Sequence, residues 1–207
     1  MGRIITFAQQ KGGAGKTTIL AHLAVSWAEA GRKVALVDLD PQRSLTRWAG
    51  LRADRALALV ETRDYRAAPD LCTAARAHDL VLVDCPGAAS TLLEAAVREA
   101  ALVLAPCQPS IMDAWATQTI CETAARLKTP VRIILNRIPP RSATIEDVLT
   151  ALGPHAARLL DCCLGNRVAF AQAFITGRTA PELARRSTAA EETEALRAEI
   201  DGVIEAL

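Results

Sequence analysis

Aromatic side chains are scarce. Three Trp, three Phe and one Tyr make up 3% of the 207 residues. Sandwiches and barrels draw heavily on rings and β-branched residues, so this composition favours tightly packed α/β layers. Lysine is scarce too: only Lys11, Lys16, Lys33 and Lys128 occur, and the other twenty basic residues are arginines. Neither sign of charge is in excess. The net charge is +1, so no global field draws the chain to nucleic acid, and any such binding needs a local arginine patch. No apolar run approaches the ~18 residues of a membrane span. The six cysteines, Cys72, Cys85, Cys107, Cys121, Cys162 and Cys163, contain no C-x-x-C pair. Adjacent Cys162 and Cys163 are poorly placed to ligate one metal together. With no secretory signal ahead of them, these cysteines are expected to be reduced, mostly buried thiols of a cytoplasmic protein. Internal repeats and low-complexity linkers are also missing.

What is present is an alternation. Continuous apolar runs lie at 4–8, 34–37, 58–60 (the weakest), 80–83, 102–105 and 131–135, with a short last one at 159–163. Helical patterns fall at 16–30, 44–51, 69–77, 90–99, 114–127, 145–152, 167–176 and 190–207. Unbroken apolar strands alternating with helices predict a three-layer α/β fold. Its mostly parallel twisted sheet carries helices on both faces. At this length the chain is expected to form one domain over residues 1–207. Ligands of such sheets sit at the carboxyl ends of the strands.

One loop at such a position carries recognisable chemistry. Gln10-Lys11-Gly12-Gly13-Ala14-Gly15-Lys16-Thr17-Thr18 stands between the first strand and the first helix. That strand–loop–helix context is the one a phosphate-binding loop requires. Glycines let backbone N–H groups converge on phosphate oxygens, and the helix N-terminus adds positive charge. Lys16 is placed to reach the β/γ-phosphates, and the Thr17 hydroxyl to ligate Mg²⁺. The general pattern asks for glycine five residues before Gly15, and this chain has Gln10 there. The loop reads K-G-G-A-G-K-T-T instead. In a chain so poor in lysine, two lysines in one loop indicate a specific chemical need, because Lys reaches phosphate as a compact point charge.

Other polar motifs begin where strands stop. Asp38-Leu39-Asp40-Pro41-Gln42 follows the second run; its two carboxylates share an orientation in extended chain, although Asp-Pro also starts turns. The run at 80–83 ends on Asp84, as a Walker B strand does. Mg²⁺ keeps several waters, so Asp84 is expected to act through one.

The K-G-G-x-G-K-T-T loop resembles the deviant Walker A box of the ParA/MinD family of P-loop ATPases. The segment from Asp40 to Trp48, the loop from Pro106 to Asp113 and the stretch from Asn166 to Glu182 resemble the short ParF-like partition ATPases. Resemblance thus covers nearly the whole chain. It implies that Lys11 crosses a dimer interface to the partner's nucleotide, and that the Pro106–Asp113 loop lies at the dimer face. It implies that Asp40 orients or activates the attacking water and that Asp38 supports Mg²⁺ through its water shell. The nucleotide site would comprise Lys11, Gly12, Gly13, Ala14, Gly15, Lys16, Thr17 and Thr18, with Asn136 and Arg137 at the adenine. The guanine-reading N-K-x-D motif is absent, which points to ATP. The family often has a second proline where this chain has Gly87.

The resemblance further implies a function. Two ATP-bound, Mg²⁺-bound monomers close into a homodimer that binds nucleoid DNA without sequence preference in the cytoplasm. A ParB/ParG-like or cargo-adaptor protein then stimulates slow hydrolysis, and the cycle segregates or positions a cargo. No N-terminal helix-turn-helix is expected, so operator binding is not. Arg167 and Arg197 match positions where relatives carry DNA-contacting arginines. Two alternatives stay open. The tail 191–207 is amphipathic, as a MinD-like membrane helix is, but its polar face is acidic, which fits a helix docked on the sheet and no membrane role. A metabolic P-loop enzyme would need a substrate pocket or, for a cluster-linked reductase, cysteines such as Cys85 and Cys107 at a dimer axis.

Overall fold

A computed structural model of the chain describes residues 1–54, 56–62, 64–140 and 144–207. Six strands build its sheet: β1 (Arg3–Phe7), β2 (Val34–Asp38), β3 (Leu57–Val60), β4 (Leu80–Asp84), β5 (Leu102–Cys107) and β6 (Val131–Leu135). Their order is β3-β2-β4-β1-β5-β6, and every pairing is parallel. The long helices are α1 (Lys16–Glu29), α2 (Ser44–Gly50), α3 (Ala67–Ala77), α4 (Thr91–Glu99), α5 (Ile111–Arg126) and α6 (Ile145–Leu152). They are followed by α7 (Val168–Ile175), the short α8 (Ala180–Leu183) and α9 (Thr188–Glu205).

Strand side chains alternate between the faces, so each strand feeds two cores. Ile4, Val81 and Val83 face one core with Leu71 of α3, Leu93 of α4, Ile120 of α5 and Val148 of α6. Ile5, Phe7, Leu80 and Leu82 face the other, with Leu20 of α1, Trp48 of α2 and Leu196 of α9. This double burial is why β1, β2, β4 and β5 read as continuous apolar runs. β3 is an edge strand and only partly covered, which explains its weak signal. Trp27 and Trp48 are fully buried, and each indole N–H finds an acceptor, Asp201 at 2.8 Å and the Arg178 carbonyl at 3.3 Å. Truncating either to Ala costs roughly 3–5 kcal/mol.

Residues 159–163 do not form the expected strand. Leu159 makes an isolated parallel bridge to Ile133. The Leu160 amide donates to the Ile133 carbonyl at 2.9 Å, but the two amides after it, Asp161 and Cys162, donate to the Glu199 carboxylate of α9 at 2.7 and 2.8 Å. Donors held by a side chain cannot extend a ladder. The α8 turn was not expected either, yet Thr179 and Glu182 form a capping box around it. α9 is docked: Leu196 and Ile200 are fully buried, and Val203 and Ile204 pack against the same core.

Candidate functional site

The carboxyl ends of β1, β2 and β4 are neighbours in the sheet, in register at Phe7↔Asp84 and Asp38↔Asp84. This brings the glycine-rich loop and both acidic motifs to one edge. Gly13 and Gly15 hold left-handed backbone, φ +81° and +99°. A Cβ on Gly15 would stand 2.3 Å from Asn136 Nδ2. Gly15 is also the N-cap of α1 and supplies no side-chain cap, so the first N–H groups of α1 remain available to an anion. Lys16 is buried and its ammonium donates to the Gln9 carbonyl at 3.2 Å.

The Thr17 hydroxyl donates to Asp84 Oδ2 at 2.6 Å. Asp84 is fully buried. Burial pushes its pKa up to about 7, against the Thr17 hydrogen bond and the Lys16 charge, while Asp38 and Asp40 add to the rise. Its Oδ1 is buried with no hydrogen-bond partner among the described residues. An orphaned carboxylate oxygen beside a threonine hydroxyl fits a hydrated Mg²⁺, with Thr17 and Asp84 holding the ion or its waters.

Asp38 has another employment. Its Oδ2 accepts from the amide and hydroxyl of Thr46, both at 2.8 Å, and its Oδ1 accepts from the Asp40 amide at 3.1 Å. It thereby fixes the start of α2 and the orientation of Asp40. Asp40 accepts from the Gln42 amide at 2.8 Å. It lines an open cleft of about 1110 Å³ that also meets Pro86 and Ser90. Gly87 stands across from the loop; a Cβ there would meet Lys16 Nζ at 3.8 Å, an ordinary contact.

Lys11 faces its own chain. Its ammonium is ion-paired with Asp113 and lies 3.5 Å from the Ser110 hydroxyl. Asp113 also accepts from Ser110 Oγ at 2.7 Å. Gln9 donates to the Pro106 carbonyl and to Thr117, and Gln108 donates to the Gly13 carbonyl at 2.7 Å. Sequence reasoning placed this loop but not these roles. Ser110-x-x-Asp113, a capping spacing, is the signal in the sequence that points to them.

Asn136 Nδ2 donates to the Ala14 carbonyl at 2.7 Å, and Oδ1 accepts from the Arg137 amide at 2.9 Å. The side chain is thus a clamp on the loop, and pairing its amide with a base requires breaking that clamp. A cavity of about 310 Å³ opens beside it, lined by Gly15, Thr18, Asn136, Arg137 and Phe170. Arg167 borders the same cavity and is paired with Glu192 at 2.6 Å. Arg197 lies elsewhere, between Asp201 at 2.7 Å and Glu194 at 3.2 Å.

The family model described as the CobQ/CobB/MinD/ParA nucleotide binding domain matches residues 5–180. The chain belongs to this family. Among curated relatives, a maintenance of carboxysome distribution protein A from Halothiobacillus neapolitanus is 31% identical over 206 residues, covering 95% of both chains. The chromosome-partitioning ATPase Soj of Thermus thermophilus is 33% identical over 199 residues, covering 80% of this chain and 78% of Soj. The fold matches a Cyanothece McdA variant in complex with ATP at TM-score 0.84 and 18% identity, covering 97% of this chain and 96% of that one. It matches MinD of Pyrococcus horikoshii complexed with Mg-ADP at TM-score 0.82 and 19% identity, covering 98% and 97%. This ParA/MinD-type chain is therefore a nucleotide-binding protein of P-loop fold.

Two features bear on the alternatives. No helix among the described residues is long and apolar enough to cross a membrane. Cys85 and Cys107 are fully buried, and burial pushes both thiols up, Cys107 to about 11. Both side chains lie within the core beneath the helices and face no surface that a second chain could share.

Proposed function

We propose that this chain is an ATP- and Mg²⁺-dependent ATPase switch whose homodimer binds DNA without sequence preference and positions a cargo. The observation that carries the reading is Lys11. It is a second lysine at the start of a loop that already carries Lys16 for the phosphates. It is 40% exposed and stands at the rim, where a second protomer's nucleotide would come within its reach. In this reading Lys16 and the loop amides hold the phosphates. Asp40 orients water for attack on the γ-phosphorus as the bond to ADP breaks. Asn136 and Arg137 border the base. The names of the relatives supply the cargo classes: chromosome partition and carboxysome distribution both fit. A partner protein that carries the cargo would stimulate hydrolysis and reset the cycle. Cytoplasmic, nucleoid-bound residence follows from the same reading.

Arg167 and Arg197, expected to contact DNA, would reach phosphates only by giving up their carboxylate partners. A membrane role gains nothing from α9, whose apolar residues are already used in the core.

The test is binding to random duplex DNA with ATP, ADP and no nucleotide, beside a Lys11→Ala variant, with mass measured by light scattering. Dimers and tight DNA binding only with ATP, both lost in the variant, support the switch. A chain that stays monomeric with ATP, or that shows no DNA binding, overturns it.

A further inference from the structure

The end of the sheet opposite the nucleotide loop holds a cleft of about 550 Å³. Its construction follows from strand register. β2, β4 and β1 are adjacent, with Val34, Leu80 and Arg3 level with one another. The residues just before β2 and β4, and the first residue of β1, therefore emerge side by side. They are Lys33, Asp79 and Arg3. Arg32 comes from the turn after α1 and Arg76 from the last turn of α3, and both reach the same cleft.

The backbone beneath is rigid. The Gly2 amide donates to the Ala75 carbonyl at 2.7 Å, Arg3 to Asp79 at 2.9 Å, and Asp79 to Lys33 at 2.8 Å. Gly2 runs so close that a Cβ would fall 1.9 Å from the His78 carbonyl oxygen. The four cations stand on a floor tied together by these hydrogen bonds.

All four are exposed. Among the described residues none makes an ion pair or a side-chain hydrogen bond, whereas Arg52, Arg66, Arg126, Arg167 and Arg197 are all paired with carboxylates. Two acids, Asp79 and Glu205, share the lining. Asp79 already accepts from the Lys33 amide at 2.8 Å. A chain of net charge +1 thus gathers an unneutralised basic excess in one concave place. Free guanidinium and ammonium groups spaced along a cleft complement a row of phosphates.

We propose that this basal cleft is the surface that grips the phosphate backbone of duplex DNA. The proposal rests on the DNA-binding reading above and locates it on Arg3, Arg32, Lys33 and Arg76. The cleft lies about 16 Å along the strands from the nucleotide edge. A dimer closed over its nucleotides leaves one cleft open at each pole. The two clefts face away from each other, so each grips its own segment of a long DNA; ATP strengthens binding by letting one dimer hold two segments at once, and each monomer retains weak binding of its own. A bilayer shares the phosphate chemistry, but a flat surface meets the rim of a cleft and not its lining.

The experiment is the salt dependence of random-duplex binding by the full chain with ATP. Three proteins are compared: unaltered, Arg32→Ala/Lys33→Ala and Arg197→Ala. Basal ATP hydrolysis reports that each variant is folded. Each lost phosphate contact lowers the slope of log K against log salt by about 0.9. The double variant is expected to lose about 1.8 from the slope for each cleft engaged and to bind at least about tenfold more weakly, with hydrolysis intact. Arg197→Ala is expected to match the unaltered chain. An unchanged slope in the double variant overturns the cleft while leaving DNA binding standing. No binding by the unaltered chain overturns the DNA reading itself and the cleft with it. Flotation with phosphatidylglycerol vesicles is the remaining arm: vesicle binding that the double variant loses, with DNA binding unaffected, overturns the nucleic-acid assignment.

Discussion

Lys11 and Asp113 form an ion pair in which the aspartate side chain is fully buried and the lysine side chain is 40% exposed. The pair joins the start of the phosphate loop to the first turn of α5. Ser110 caps α5 through the Asp113 amide and donates its hydroxyl to the Asp113 carboxylate. In the proposed switch, the lysine that reaches a partner's nucleotide is held by its own chain first. Its departure leaves Asp113 buried with hydrogen bonds but no cation.

Lys11→Ala is accordingly expected to destabilise the nucleotide-free protein by about 1–3 kcal/mol, below the usual cost of breaking a buried pair because the lysine is part exposed. Urea unfolding checks this. A double-mutant cycle with Asp113→Asn should recover most of the loss. A surface lysine with no buried partner would give a change near zero.

A second prediction concerns pH. His22 lies on α1, the helix that follows the loop, with its Nδ1 against the Thr18 carbonyl at 2.8 Å and its Nε2 accepting from the Ala180 amide at 3.0 Å. Burial lowers its pKa from 6.5 to about 4, against the Thr18 hydrogen bond and the Glu182 charge. The unfolded chain then binds the extra proton between those values, so His22 makes stability rise with pH there and fall on acidification. Asp84 acts oppositely. Its pKa is raised from 3.8 to about 7, so the folded state keeps a proton that the unfolded chain releases, and stability falls as pH rises across that window. Each slope reaches at most about 1.4 kcal/mol per pH unit, and the two oppose over their shared range. Asp84→Asn should unmask a steeper gain in stability with rising pH, and His22→Gln a loss. Urea melts from pH 4.5 to 6.5 in EDTA, compared with the parent, decide it; equal slopes in all three proteins would sink the idea.

The sequence made the sheet legible because burial on both faces leaves an unbroken apolar run, and because Asp38, Asp84 and Asn136 mark where such runs stop. The edge strand β3 and the residues after Leu159 were not so marked. β3 pairs only with β2 and is partly exposed, and the amides of Asp161 and Cys162 are held by Glu199, distant in sequence. The phosphate loop was legible residue by residue, since its glycines and lysine are dictated by local backbone. The committed hydrogen bonds of Asp38 and Asn136, and the Asp113 counterion, arise from chain segments eight to 122 residues apart. Periodicity carries no information at that range. Arg197 illustrates the limit: its partners at Glu194 and Asp201 lie at helical spacing and were readable, whereas Glu192 opposite Arg167 was not.

The Asn136 clamp yields a third prediction. Removing its amide leaves the Ala14 carbonyl without that donor, a loss of about 1–3 kcal/mol for a buried group. Asn136→Ala should weaken ATP binding at least about tenfold through a loosened loop. Gly15→Ala should do more, because the added methyl meets Asn136 Nδ2 at 2.3 Å and left-handed backbone is strained for alanine. Titration calorimetry with ATP, beside thermal melts to confirm folding, measures both. Undiminished affinity in Gly15→Ala would mean that the loop adopts another conformation when loaded.

The last prediction uses Trp115. Of the three tryptophans, Trp27 and Trp48 are fully buried, whereas Trp115 is 55% exposed on α5, two residues after Lys11's counterion. Met112, 60% exposed, lies beside it at helical spacing. If two nucleotide edges close on each other, these two side chains are among the apolar groups nearest the seam. ATP with Mg²⁺ should then shift the tryptophan emission to the blue, and the shift should vanish in Trp115→Phe while Trp27 and Trp48 remain. Trp115→Ala should also weaken the dimer by about 1–3 kcal/mol, the cost of losing an aromatic contact at an interface. The two readouts separate the causes. A blue shift that persists in Trp115→Phe would report a change inside the fold, at Trp27 or Trp48. A dimer that forms with no shift at all would place the seam away from α5, and with it the route by which Lys11 reaches the other protomer.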